Sequence, residues 1–186
     1  MASVEGLIKS YERFVSLPWG SSVAPQQRVW FALYDPRDER RLRVRIGAFE
    51  AATVRSNHAW LACDLTDEFA NWMAAQDYRE SYFESPQDLG GMVLDEFAEY
   101  VAEVVKRVLA SPEAGPESVV ALYGIASLFG FVRVSRLMEM VAPHARGRLL
   151  TFFPGEHDNG NYRLLDARDG WNYLAIPVTA QEGASQ

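Results

Sequence analysis

Apolar residues along the chain follow two patterns, one typical of amphipathic helices and the other of buried strands. Residues 3–16 have apolar side chains at helical spacing, and later segments repeat that spacing between compact apolar runs. The compact runs predict four strands, at 28–35, 59–65, 118–125 and 147–155. Helices are predicted between these strands, at 36–56, 66–83, 92–109 and 131–141.

The near-continuous apolar character of the strands predicts the fold class. Strands of this kind are buried on both faces, as in a mainly parallel sheet covered by helices. We therefore expect a single α/β domain over residues 1–180, with three layers in the order helix, sheet, helix. Residues 161–178 are predicted to form a C-terminal β-hairpin that turns at Asp169-Gly170. Residues 181–186 are predicted to be a disordered tail.

Composition narrows the classes of protein to consider. The chain has 186 residues, of which 48% are hydrophobic, and its net charge is −7. Cys63 is the single cysteine, which excludes a disulfide framework and fits a reducing compartment. No apolar run approaches the ~20 residues needed to cross a bilayer, and no signal peptide is apparent. These features predict a soluble, cytoplasmic protein, and the acidic charge argues against nonspecific binding to nucleic acid.

The carboxyl ends of the strands, where open parallel sheets bind ligands, show no catalytic motif. Asp35 and Asp64 follow two strands, but both are well placed to cap the next helix. The segment "YGIASLFG" is the nearest approach to a phosphate-binding turn, and it lacks a lysine. Cys63 lies within an apolar strand and is interpreted as a buried, inert thiol. The scattered histidines predict no metal site, so neither catalytic residues nor cofactors are expected.

A cluster of arginines follows the first predicted strand. On a helix, Arg37, Arg41 and Arg45 share one face at four-residue spacing. Two interpretations stay open, a solvated face offset by nearby carboxylates and a docking surface for phosphate or an acidic partner.

The segment "NYRLLDARDGWNYLAIPV", residues 161–178, combines charged and aromatic residues with leucines. Its polar residues can form a local charge network, or they can contact a protein partner. Tryptophan, tyrosine and arginine are enriched in interface hot spots. We hypothesise that the leucines pack on the sheet while the other side chains face a partner. The predicted contact residues here are Arg163, Asp166, Arg168, Asp169, Trp171 and Tyr173.

Nearly the whole chain resembles the BrxB family, small proteins of bacterial BREX (bacteriophage exclusion) gene clusters. The resemblance extends through "YERFVSLPW", "RVWFALYDPRDERRLRVRIGAFE", "CDLTDEFANWMAAQDYRESYFE" and "FFPGEHDNGNYRLLDARDGWNYLAIPVT". The last stretch, from Pro154 to Tyr173, is the most specific to the family.

The resemblance implies a cytoplasmic, non-catalytic component of an anti-phage defence complex, and the family offers no catalytic residues to carry over. Other BREX proteins are the expected partners. PglZ, which has an alkaline-phosphatase-like domain, is the expected direct contact, and no direct binding of DNA is expected. The alternative function is a degenerate nucleotide- or phosphate-binding domain with weak or lost hydrolytic activity, which only the fold class supports.

Overall fold

The computed structural model describes residues 3–20, 22–165 and 171–180, and in these ranges the apolar runs form strands with helices between them. The helices are α1 Val4–Val15, α2 Glu39–Arg55, α3 Glu68–Ala74, α4 Arg79–Glu84, α5 Met92–Leu109 and α6 Val134–Val141. The strands are β1 Val29–Tyr34, β2 Ala59–Asp64, β3 Ser118–Tyr123, β4 Arg148–Asp158, β5 Asn161–Leu164, β6 Trp171–Asn172 and β7 Ile176–Val178.

The central sheet has the strand order β2-β3-β4-β1-β7, and all four neighbouring pairs are parallel. Strand β1 lies between β4 and β7, with Val29 opposite Leu149 on one side and Trp30 opposite Ile176 on the other. Beyond the central sheet, β4 continues into an antiparallel extension with β5 and β6.

Helices cover both faces of this sheet because its side chains are apolar on both faces. All six residues of β1 are buried. Trp30 packs into a core with α1 and α2, where Tyr11 and Phe49 are fully buried. Phe31 packs on the opposite face into a second core, to which α3, α5 and α6 also contribute side chains. The predicted α/β class, with a mainly parallel sheet between helical layers, is confirmed.

The predicted helix at 66–83 is wrong in its length, because the chain forms two short helices there. α3 ends at Ala74. The Arg79 guanidinium donates a hydrogen bond to the Ala74 carbonyl at 3.0 Å. Trp72 and Met73 of α3 reach the core, but no residue of α4 is buried. The first half of the predicted helix therefore has two residues buried in the core, whereas the second half contributes only the partly buried Tyr82.

The C-terminal segment is antiparallel only in part. A two-residue turn, Asn159-Gly160, joins β4 to β5, and both turn residues have positive φ angles of 49° and 82°. Such a turn matches the twist of paired strands. Trp171 of β6 then lies opposite Tyr162. The predicted C-terminal hairpin is confirmed by the antiparallel pair of β5 and β6, but it is shorter than predicted, because Ile176–Val178 joins the parallel sheet instead.

Two earlier predictions, the turn at Asp169-Gly170 and the tail at 181–186, lie outside the described residues. Among the helices that the structure does describe, none is both long and apolar enough to cross a membrane.

Candidate functional site

Polar side chains from three elements meet beyond the carboxyl ends of the strands. The Arg43 guanidinium of α2 donates hydrogen bonds to the Glu39 carboxylate at 2.7 Å and to the Thr66 hydroxyl at 2.8 Å. Asp64, at the end of β2, lies 3.8 Å from the same guanidinium. The Tyr34 hydroxyl, at the end of β1, donates a hydrogen bond to Glu39. We call these five residues the carboxyl-edge cluster.

The one guanidinium of the carboxyl-edge cluster, Arg43, contacts two carboxylates, Glu39 and Asp64. Burial raises the pKa of Tyr34, and its hydrogen bond to Glu39 raises that pKa further. Partial burial lowers the pKa of Arg43, but the hydrogen bond and charge of Glu39, with the charge of Asp64, outweigh it and raise the pKa. Tyr34 therefore stays neutral and Arg43 stays charged, so the cluster ties α2 to the ends of the strands.

The turn after β3 packs closely against this cluster. Gly124 has φ +81°, and a Cβ at that position would lie 2.6 Å from the backbone nitrogen of Thr66. A four-residue 3-10 turn, Ile125–Leu128, follows it, and α6 begins only at Val134. The segment "YGIASLFG" therefore offers no helix N-terminus to a phosphate. Gly124 instead allows the turn to pack closely against Thr66.

Cys63 lies next to the cluster but inside the core. Its side chain is buried, and burial raises the pKa of the thiol to about 11. The thiol is protonated at neutral pH, which agrees with the interpretation of an inert cysteine.

An open cleft of about 840 Å³ lies beside the ends of β1 and β4. Sites of this kind are common in α/β proteins where neighbouring strands connect in different directions. The ionisable side chains that line the cleft are Asp35, Arg37, Asp38, Arg41, Glu156, His157 and Asp158. Four carboxylates thus face two guanidinium groups, and a phosphate in the cleft would meet an excess of negative charge.

The arginines predicted to share a helix face are separated in the structure. Arg37 lies in the 3-10 turn Pro36–Asp38, because Asp35 caps that turn by accepting a hydrogen bond from the Arg37 backbone at 2.9 Å. The Arg37 side chain also donates to Asp35, which lowers the pKa of that carboxyl to about 2. The prediction of one face for all three arginines is therefore wrong.

Of these three arginines, only Arg41 and Arg45 belong to α2, and both are exposed. Arg41 lies 3.8 Å from Glu5 and 4.0 Å from Asp38. Arg45 makes no ion pair with any described residue. These two arginines are thus accessible to a partner, although Arg41 already has two carboxylates nearby.

The structure divides the predicted contact residues of the C-terminal segment. Arg163 is exposed on β5, where it lies opposite Glu156 of β4. Tyr173 is buried with its ring centroid 6.1 Å from that of Phe31, and burial raises its pKa to about 12. Tyr173 therefore belongs to the core, and its prediction as a contact residue is wrong. Asp166, Arg168, Asp169 and the side chain of Trp171 lie outside the described residues.

One segment has exposed features that the predicted elements did not indicate: residues 77–99, which we call the acidic aromatic segment. It contains seven acidic residues and one arginine, whereas the net charge of the whole chain is −7. Three large apolar side chains are exposed in it: Tyr78 by 75%, Phe83 by 63% and Met92 by 79%. The prediction of a single helix at 66–83 gave no reason to expect exposed aromatic side chains here. The mixture of acidic and aromatic residues in "DYRESYFESPQD" could have indicated them.

Within the described ranges, no group of three or more His, Cys, Asp or Glu side chains is placed to hold a metal ion. Comparisons with known protein families, with curated proteins and with solved structures find no match to this chain.

Proposed function

We propose that this protein is a non-catalytic adaptor of a BREX-type anti-phage defence complex in the cytoplasm, and that PglZ is its direct partner. The affiliation with BREX rests on the resemblance of the sequence to the BrxB family. The role as an adaptor is supported by one structural observation, the exposure of large apolar side chains within the acidic aromatic segment.

The acidic aromatic segment has the properties of a surface that binds a protein. Exposed Tyr78, Phe83 and Met92 supply apolar area, and tyrosine is a frequent hot-spot residue. Two of the seven carboxylates are paired, Glu80 with Arg79 and Asp95 with Arg136. The other five make no ion pair among the described residues, so their charge is available to a partner. A basic protein surface with apolar pockets fits this combination.

The test is binding between this chain and PglZ after co-expression. The double variant Tyr78→Ala with Phe83→Ala should lower the affinity at least about tenfold, or 1.4 kcal/mol, because it removes the apolar contacts. Val44→Ala is the matched control, since Val44 is 84% exposed on α2 and lies outside the segment. Full binding by the double variant would contradict the proposed interface, and failure of the unmodified chain to bind would contradict PglZ as the partner.

The exposed arginines are a second predicted contact surface. Arg41→Glu with Arg45→Glu, and separately Arg163→Ala, should leave binding nearly unchanged if the acidic aromatic segment dominates. Loss of binding in these variants, with full binding in Tyr78→Ala/Phe83→Ala, would move the interface to the arginines.

Binding of a nucleotide or phosphate in the cleft is the alternative function, favoured by the cleft's volume and position. The excess of carboxylates argues against it, so we expect the melting temperature to stay constant when nucleotides and divalent cations are added. A rise in melting temperature that Arg37→Ala with Arg41→Ala abolishes would replace the adaptor proposal.

A further inference from the structure

Strand β2 is the outermost strand of the sheet and has one open side. It pairs with β3 alone, in a continuous register from Ala59 opposite Ser118 to Asp64 opposite Tyr123. The register contains no bulge, and Ala62 in the middle of the strand is exposed. Within the described residues, no strand pairs with this side of β2.

The hydrogen-bonding direction of each β2 residue follows from the two ends of the ladder. Ala59 donates its N–H to the Glu117 carbonyl, and Leu65 donates to the Tyr123 carbonyl, both at 2.9 Å. Alternate residues of a parallel strand face the same neighbour, so the odd-numbered residues face β3. The N–H and C=O groups of Trp60, Ala62 and Asp64 therefore point to the open side. These six groups have no backbone partner among the described residues.

Folded proteins usually protect such an edge. They shorten the strand, place lysine or proline in it, introduce a bulge or cover it with another element. The sequence of β2, AWLACD, is six residues long and contains neither lysine nor proline. Its one charged residue, Asp64, stands at the end. This edge is therefore suited to accept another extended strand.

We propose that β2 pairs antiparallel with β2 of a second copy of this chain, about a two-fold axis at Ala62. In that register Ala62 lies opposite Ala62 of the second copy, and Trp60 lies opposite Asp64. These pairs satisfy all of the open N–H and C=O groups, because each hydrogen-bonded pair exchanges two bonds. The proposal is independent of the proposed function.

The charges and sizes of the side chains favour a second copy as the occupant. No like charges lie opposite each other, and Leu61 lies opposite Cys63 of the second copy. The two Asp64 carboxylates are four residues apart along the pair, roughly 13 Å, which exceeds the Debye length at physiological salt. Arg43 and Thr66 also contact each Asp64 within its own chain. The small side chain of Ala62 lets the strands approach at the axis.

Analytical ultracentrifugation of the full chain over a wide range of concentrations tests the proposal, since dimerisation depends on concentration. The unmodified chain should form a dimer. Ala62→Lys places two like charges at the axis, and Ala62→Pro removes an N–H that points to the open side without affecting the ladder to β3. Each variant should raise the dimer dissociation constant at least tenfold. Val44→Lys is the matched control for charge, and it should dimerise normally.

Cross-linking tests the register of the dimer. Hydrogen-bonded residues in antiparallel strands have Cα atoms about 5.5 Å apart, which a disulfide can span. Ala62→Cys in a Cys63→Ser background should therefore oxidise to a covalent dimer, and Ala59→Cys in the same background should not. A circular dichroism spectrum and melting temperature close to those of the unmodified chain would show that each variant is folded.

Three results would overturn the proposal. One is an unmodified chain that stays monomeric at all concentrations. The second is a dimer that Ala62→Lys and Ala62→Pro do not weaken. The third is a monomeric chain whose binding to another protein is abolished by Ala62→Pro, which would assign the edge to a foreign strand.

Discussion

The two outer strands of the central sheet, β2 and β7, differ in how they are protected. β7 has three residues, and the middle one is Pro177. A proline has no N–H to donate to a neighbouring strand. Ile176 and Val178 therefore make the hydrogen bonds to β1, and Pro177 faces the open side of the sheet. Nearby, Ala180 packs against α1, where a Cβ on Gly6 would lie 3.1 Å from it. β2 is twice as long and has no comparable protection.

This difference assigns separate roles to the two edges. A short strand with a proline offers few donors to an additional strand, so β7 closes the sheet on its side. The six-residue strand β2 presents a regular row of donors and acceptors. We therefore expect strand addition at β2 and not at β7, and three substitutions test that comparison.

The largest effect is expected from Leu61→Pro. It removes the N–H that the ladder directs to the Val119 carbonyl, and an unsatisfied buried carbonyl costs about 1–3 kcal/mol. Ala62→Pro, by contrast, removes an N–H on the open side and should cost less than about 1 kcal/mol, as edge prolines are tolerated. Urea unfolding at low protein concentration measures both. Equal losses would show that the Ala62 N–H already has a partner within the chain.

A smaller effect is expected from Arg43→Met, which removes the contacts that fasten the carboxyl end of β2 to α2. The free energy of unfolding should fall by about 1–2 kcal/mol, because the lost hydrogen bonds are charge-assisted but partly exposed to solvent. Arg37→Ala is the control beside β1. Its pair with Asp35 is exposed and screened by solvent, so the free energy of unfolding should fall less than in Arg43→Met. If both variants unfold at the same urea concentration, the carboxyl-edge cluster does not stabilise β2.

The smallest effect is expected from Pro177→Val, measured in an Ala62→Lys background so that β2 is blocked. Loss of the proline makes the unfolded chain more flexible, and stability should fall by about 0.4–1 kcal/mol. The added N–H should produce slight association at high concentration in the ultracentrifuge. A strictly monomeric variant would show that α1, and not Pro177, protects this edge.

The strands that are buried on both faces could be predicted from the sequence, because each is a continuous apolar run of the right length. Their order could not, since neighbours in the sheet come from distant parts of the chain. Ile176–Val178 illustrates the difficulty. Its residues continue the local alternation of apolar and polar side chains. Only its pairing with β1 shows that it belongs to the parallel sheet.

Predictions for the site failed where one residue type serves two purposes. Tyr173 has the character of an interface residue, yet its ring packs against Phe31 in the core. Regular spacing placed Arg37 on a helix, but the cap formed by Asp35 holds it in the preceding turn. The exposure of Tyr78 and Phe83 could not be predicted either. The apolar residues keep a helical spacing beyond Ala74, where α3 ends, although no residue of α4 is buried.

The position of β1 in the sheet has a consequence for synthesis on the ribosome. Both neighbours of β1 are made later: β4 begins at Arg148 and β7 at Ile176. A nascent chain that ends before residue 148 can pair only β2 with β3, and it leaves the apolar side chains of β1 without their strands. The central layer therefore assembles only after β4 and β7 have been translated, and β4 must insert between two strands that already exist. Such long-range pairing is slow, and the apolar side chains of β1 stay open to aggregation until it is complete.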